Sequence, residues 1–182
     1  QKESIPAMTG WSMGLGDGAQ ALSSFYGHTR AFIKVQDGCN MKCAYCIIPT
    51  IRPIMSSRPP EEIIGEISGL IDGGYREFVL CGIRLGRYWA QESPGSRVRS
   101  LGSYAQEGFP LSDPRLGKRV DLLGLIQRIA ALPGDFRIRL SSIEVTDLTD
   151  RFLEAYAMLA KTVPYFHVPL QSGSDKVLAA MK

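Results

Sequence analysis

The chain has 182 residues, 45% of them hydrophobic and 21% charged, the balance of a globular protein long enough to bury a core. Its net charge of +3 is too small to argue by itself for a nucleic-acid partner. There is no run of about 18 apolar residues, the length a membrane-spanning helix requires.

In chain order, residues from Gln1 to about His28 carry Gly10, Gly14, Gly16 and Gly18 among small polar residues without a sustained period, and read as a linker. The folded part is expected to begin near Thr29 and run to Lys182. Because the chain opens at Gln1 and closes within the helical pattern Val177-Leu178-x-x-Met181, it reads as a segment of a longer protein. Ala31–Val35 predicts a strand, followed by a cysteine-rich loop. Pro59 and Pro60 then open a helix whose apolar residues Ile63, Ile64, Ile67, Leu70 and Ile71 share one face. Glu61 and Glu62 fall in its first turn, where the helix dipole favours them, and Gly73-Gly74 ends it.

Arg76–Leu80 predicts a second strand, Leu122–Ala130 a second helix, Phe136–Leu140 a third strand, Thr149–Ala160 a third helix and Tyr165–Leu170 a fourth strand. Between the second strand and second helix lies a polar insertion at about 89–119. Its length marks it as functional or solvated, and Glu92, Glu107 and Asp113 dilute its arginines. Strands alternating with amphipathic helices predict an α/β protein with a parallel sheet, either doubly wound or part of a barrel. In both, the loops at the carboxyl ends of the strands build the site. Here those loops are Gly38-Cys39, Cys81-Gly82-Ile83, Ser141-Ser142-Ile143-Glu144 and Gln171-Ser172-Gly173-Ser174, each polar or glycine-rich. Taken singly, Ser142, Ser174 and Asp175 are ordinary turn and cap residues; their joint position at strand ends favours a site.

The most specific feature is Cys39-x-x-x-Cys43-x-x-Cys46. Three thiolates on one short loop can each bind a different iron of one cubane cluster, leaving the fourth iron without a protein ligand. An iron with free positions can chelate an amino-carboxylate and pass it an electron. Structural zinc is the main alternative, since four cysteines are present. Zinc, however, is commonly held by two close pairs, and Cys81 stands alone after Phe78-Val79-Leu80 as a small buried thiol. A disulfide framework is disfavoured by the absence of partners for three adjacent cysteines, so a reducing cytoplasmic compartment is expected. His28 and His167 do not cluster with other ligands, and His167 reads as a hydrogen-bonded core residue.

The cysteine spacing and Tyr45 before the last cysteine resemble the radical S-adenosylmethionine (SAM) signature. Thr29-Arg30-Ala31-Phe32-Ile33-Lys34-Val35-Gln36-Asp37-Gly38-Cys39, Ile47-Ile48-Pro49 and Ser57-Arg58-Pro59 look like the radical SAM methylthiotransferases. So do Gly74–Leu80, Arg139–Glu144 and His167–Ser174, in the family's order. Gln36-Asp37 and Gly82-Ile83-Arg84-Leu85-Gly86 look most like the branch acting on N6-threonylcarbamoyladenosine at position 37 of tRNA. The branches acting on isopentenyladenosine in tRNA and on ribosomal protein S12 share the cysteine loop. Pro53, Cys81 and Trp89 depart from the family pattern.

The resemblance implies a partial (β/α) barrel of the radical SAM type, truncated after about four β/α units. It implies one 4Fe-4S cluster on Cys39, Cys43 and Cys46, with SAM on the open iron and Tyr45, Gly82, Ser142, Glu144 and Gln171 near SAM. One SAM would supply a methyl group and another a 5'-deoxyadenosyl radical that opens adenine C2 to a methylthio group. A second 4Fe-4S cluster in an amino-terminal domain, a carboxyl-terminal RNA-binding domain, a tRNA substrate and a flavodoxin- or ferredoxin-type electron donor complete the family picture. From another class, the bland alternative is a non-catalytic iron–sulfur or zinc module in which Cys81 is the fourth ligand.

Overall fold

The computed structural model describes residues 29–91, 98–99 and 119–181. The linker at 1–28 and most of the insertion at 89–119 lie outside the described residues. Strand β1 (Ala31–Asp37) is followed by a short helix α1 (Ile48–Ile51), strand β2 (Ser56–Ser57), helix α2 (Pro60–Asp72) and strand β3 (Glu77–Gly82). Next come β4 (Trp89–Gln91), β5 (Val98–Arg99), β6 (Arg119–Asp121), helix α3 (Leu122–Ala130), β7 (Arg137–Leu140), α4 (Asp150–Ala157) and α5 (Asp175–Met181).

Five strands form one mixed sheet in the order β5-β2-β1-β3-β7. β1, β3 and β7 are parallel neighbours, whereas β2 runs antiparallel to β1 and β5 antiparallel to β2. α2 connects the first parallel pair and α3 lies between the second. β4 and β6 pair antiparallel, so the two ends of the insertion are tied together as a short ribbon.

The register places side chains in cross-strand rows. Ala31, Phe78 and Ile138 form one row and Ile33, Leu80 and Leu140 the next. All six are buried in one core with Ile63, Ile67 and Leu70 of α2 and Leu125, Ile126 and Ile129 of α3. The alternating row, Phe32, Val79 and Arg139, faces the other side of the sheet, where Phe32 is 48% exposed. One face is therefore sealed by helices, while the opposite face stays partly open and bears charge. On that face the Glu77 carboxylate lies between Arg30 Nε at 3.1 Å and Arg139 Nε at 2.9 Å.

The helix boundaries follow local chemistry. Pro59 and Pro60 occupy the N-cap and first position of α2, where a missing N–H costs nothing. Asp121 caps α3 by accepting the Gly124 N–H at 2.7 Å, and Thr149 caps α4 by accepting the Phe152 N–H at 3.2 Å. The third predicted helix is shorter than the expected Thr149–Ala160. Thr162 Oγ1 donates to the carbonyls of Tyr156 and Leu159 at 2.8 and 2.7 Å, which satisfies the helix end and turns the chain there.

The predicted strand Tyr165–Leu170 does not form. Residues 161–167 run along the free edge of β7 but make only isolated parallel bridges, Ile138 with Thr162 and Ser142 with His167. Pro164 and Pro169 each remove a ladder donor, and Tyr165 N–H turns back onto the Val163 carbonyl at 2.7 Å. The segment is instead fastened by side chains: Phe166 packs 4.8 Å from Tyr156, and the Arg139 guanidinium stacks 4.9 Å from the Tyr165 ring.

Candidate active site

The cysteine loop leaves the carboxyl end of β1 through Gly38, which has φ +78°. A Cβ there would lie 1.9 Å from the Ile54 carbonyl oxygen, so only glycine lets the chain returning from α1 cross at that distance. Cys39 N–H donates to the Arg52 carbonyl at 3.0 Å, closing the loop at its base. Asp37 holds the same corner by accepting from the Gly38 N–H, Arg52 Nη1 and Lys34 Nζ at 2.9, 2.9 and 2.7 Å. Partial burial pulls its carboxyl upward, but the Lys34 and Arg52 hydrogen bonds and charge outweigh this and hold it below the usual carboxylate range.

Cys39, Cys43 and Cys46 are free, half-buried thiols. Met41 N–H donates to Cys39 Sγ at 3.4 Å, and Cys46 N–H to the Cys43 carbonyl at 3.1 Å, a turn that sets the last two cysteines on one bend. Among the described residues, no three Cys, His, Asp or Glu side chains converge on a point as one metal ion requires. Three thiols on one loop are the donor set of a cubane cluster, which takes each thiolate on a separate iron. Cys81 stands on β3 opposite Lys34. It is half-buried rather than fully buried as expected; burial pushes its thiol up, Lys34 opposes this and Glu66 adds to it.

The rim residues are distributed around this loop. Tyr45, 60% exposed, donates its hydroxyl to Gln171 Oε1 at 3.1 Å, joining residues 126 positions apart. Partial desolvation raises the Tyr45 phenol, with Cys43, Cys46 and Glu144 adding to the rise. Ser142 Oγ lies 2.9 Å from His167 Nδ1. Gly82 packs against β1, where an added Cβ would stand 2.6 Å from Gln36 Cβ and 2.7 Å from the Gln36 carbonyl oxygen. Its missing side chain thus serves strand packing.

Three features were not singled out as site residues by sequence reasoning. His167 reads as a core histidine, yet it is exposed and paired with Ser142. Asp37 and Arg52 lock the loop base across 15 residues, a pairing with no local pattern to announce it. α5 meets the loop through Ala44 N–H, which donates to the Met181 carbonyl at 3.1 Å.

Fold and site together define an α/β protein with a three-thiol loop at the carboxyl end of its first parallel strand, the setting of an iron–sulfur centre. Residues 33–182 match the family model described as the radical SAM superfamily, and the chain belongs to that superfamily. It is 42% identical over 160 residues to the threonylcarbamoyladenosine tRNA methylthiotransferase MtaB of Chlamydia pneumoniae, covering 88% of this chain and 32% of that protein. It is 36% identical over 161 residues to the protein of the same name in Bacillus subtilis, covering 88% and 30%. The tRNA-2-methylthio-N(6)-dimethylallyladenosine synthase of Verminephrobacter eiseniae is 35% identical over 152 residues, covering 84% and 29%. The chain therefore spans about a third of the length of these curated relatives. No helix among the described residues is long and apolar enough to cross a membrane.

Proposed function

We propose that this chain is the cluster- and SAM-binding core of a radical SAM methylthiotransferase that installs a 2-methylthio group on N6-threonylcarbamoyladenosine of tRNA. The observation that carries the reading is the loop of three free thiols, Cys39, Cys43 and Cys46, at the carboxyl end of β1. Those thiols would hold a 4Fe-4S cluster, which when bound would supply one electron to SAM.

The remaining roles fall to this chain's own side chains. Glu144 offers a carboxylate to the ammonium or hydroxyl groups of SAM, and Ser142 with His167 offers a hydroxyl–imidazole pair on the same rim. Tyr45 and Gln171 bound the loop side. The partly open, charged face of the sheet supports a partial barrel whose interior this face would line. A tRNA substrate, a flavodoxin- or ferredoxin-type donor, a second cluster in another domain and a cytoplasmic location belong to the same proposal.

The threonylcarbamoyl branch is supported by the 42% relative and by the Gln36-Asp37 and Gly82–Gly86 strings. The second reading, a dimethylallyladenosine substrate, is favoured by the relative at 35%. Anaerobically reconstituted protein with a strong reductant should convert SAM to 5'-deoxyadenosine, and Cys43→Ala should not. A cluster-loaded protein that makes none contradicts the reading. Methylthiolation of tRNA bearing either modified base then separates the two substrates.

A further inference from the structure

Gln171 has φ +66°, a left-handed backbone conformation that a glutamine adopts only against a steric penalty. Its neighbour Gly173 would adopt such a conformation freely, yet the side chain stands at 171. What the strained position achieves is visible: it presents Oε1 to the Tyr45 hydroxyl at 3.1 Å. Cys39 is fixed from below by Arg52 and by the Gly38 crossing, whereas among the described residues two hydrogen bonds join residues 43–46 to chain outside the loop. These are Ala44 N–H to the Met181 carbonyl and Tyr45 to Gln171, and both partners lie in the segment 171–181 that follows the free edge of β7.

We propose that Tyr45 and Gln171 form a latch: Gln171 is a positioning residue that closes the distal half of the thiol loop against the segment 171–181, holding Cys43 and Cys46 in place for the cluster. The proposal rests on the same three thiols as the functional reading but deepens it, because it makes half the metal loop dependent on a residue 125 positions from Cys46 in the chain. Cys39 is independent of the latch. The loop thus has a fixed end and a latched end, and the latched end should open first.

Thiol alkylation of the metal-free intact chain by iodoacetamide, read cysteine by cysteine by mass spectrometry, tests this without reference to activity. Tyr45→Phe and Gln171→Met should each speed modification of Cys43 and Cys46 by about five-fold, the effect of one hydrogen bond on an opening equilibrium. Cys39 and Cys81 in the same molecules should stay within about two-fold of wild type. Gln171→Glu keeps the acceptor and should retain wild-type protection. Tyr45→Phe combined with Gln171→Met should be no worse than either alone, since both remove the same bond. Wild-type rates at Cys43 and Cys46 in Tyr45→Phe, or additive effects in the double variant, would overturn the latch. Should Gln171→Met accelerate all four cysteines through loss of fold, Tyr45→Phe, which removes one oxygen from an exposed ring, decides the matter. A latch without SAM cleavage would sink the functional reading alone; SAM cleavage with no latch effect would sink this inference alone.

Discussion

The helix-covered half of the sheet and the thiol rim are built by different means. In the first, repeated ladder bonds join β1, β3 and β7, and their inward rows are sealed by α2 and α3 with Ile33, Ile63, Ile67, Leu125, Ile126 and Ile129 fully buried. In the second, single contacts between distant residues do the fastening: Cys39 to Arg52, Ala44 to Met181, Tyr45 to Gln171 and Ser142 to His167. Around the rim Tyr45, Ile47, Ile51, Ile54 and Leu170 remain exposed. Cooperative packing makes the scaffold insensitive to any one polar bond, whereas the rim, held by single contacts, is the part expected to open first.

The largest effect should come from the scaffold. Ile126→Ala empties a fully buried position between helix and sheet and should cost about 3–4 kcal/mol in chemical denaturation. A loss below 1 kcal/mol would break the contrast. Gly38→Ala strikes where the two regions meet. Its Cβ would collide with the Ile54 carbonyl at φ +78°, so about 2–3 kcal/mol should be lost and the Cys39 anchor displaced, seen as faster alkylation of Cys39.

A pH prediction sharpens the same contrast at the seam between them. Tyr156 donates its hydroxyl to the Val163 carbonyl at 3.1 Å, and burial pushes its phenol up to about 12, with Arg139 opposing. The folded state therefore keeps the proton more tightly than the unfolded chain, whose tyrosines titrate near about 10. Stability from this group is present below about pH 10 and is lost as pH rises towards about 12. Tyr156→Phe should flatten the alkaline fall in melting temperature; an unchanged slope would count against the buried setting of Tyr156. Tyr88, whose phenol burial also raises, adds to the fall in both proteins. The smallest effect belongs to the rim: Leu170→Ser, at a residue 78% exposed, should change stability by less than about 0.5 kcal/mol.

The same division governed what the sequence disclosed. β1, β3, β7, α2 and α3 were legible because their apolar residues recur with the period of the element and are buried accordingly. The apolar run Tyr165–Leu170 has the composition of a strand, but Pro164 and Pro169 withhold donors that periodicity does not weigh. β2 is two residues long, too short to carry any period, yet it turns the sheet from parallel to mixed. At the rim, the thiol loop was legible from spacing alone. The Tyr45–Gln171 bond, the Asp37–Arg52 lock and the Ser142–His167 pair were not, because each depends on strand ends brought together by the fold. Gly82 was marked by the resemblance as a residue near SAM, whereas its close approach to Gln36 is seen only in the fold.

The central claim is that three thiols, and not four, hold the cluster. Iron and acid-labile sulfide in anaerobically reconstituted wild type, Cys43→Ala and Cys81→Ser test it most directly. Wild type and Cys81→Ser should carry equal iron, on the order of four atoms per site, and Cys43→Ala should carry little. Equal loss in Cys43→Ala and Cys81→Ser would contradict the account and make Cys81 a ligand.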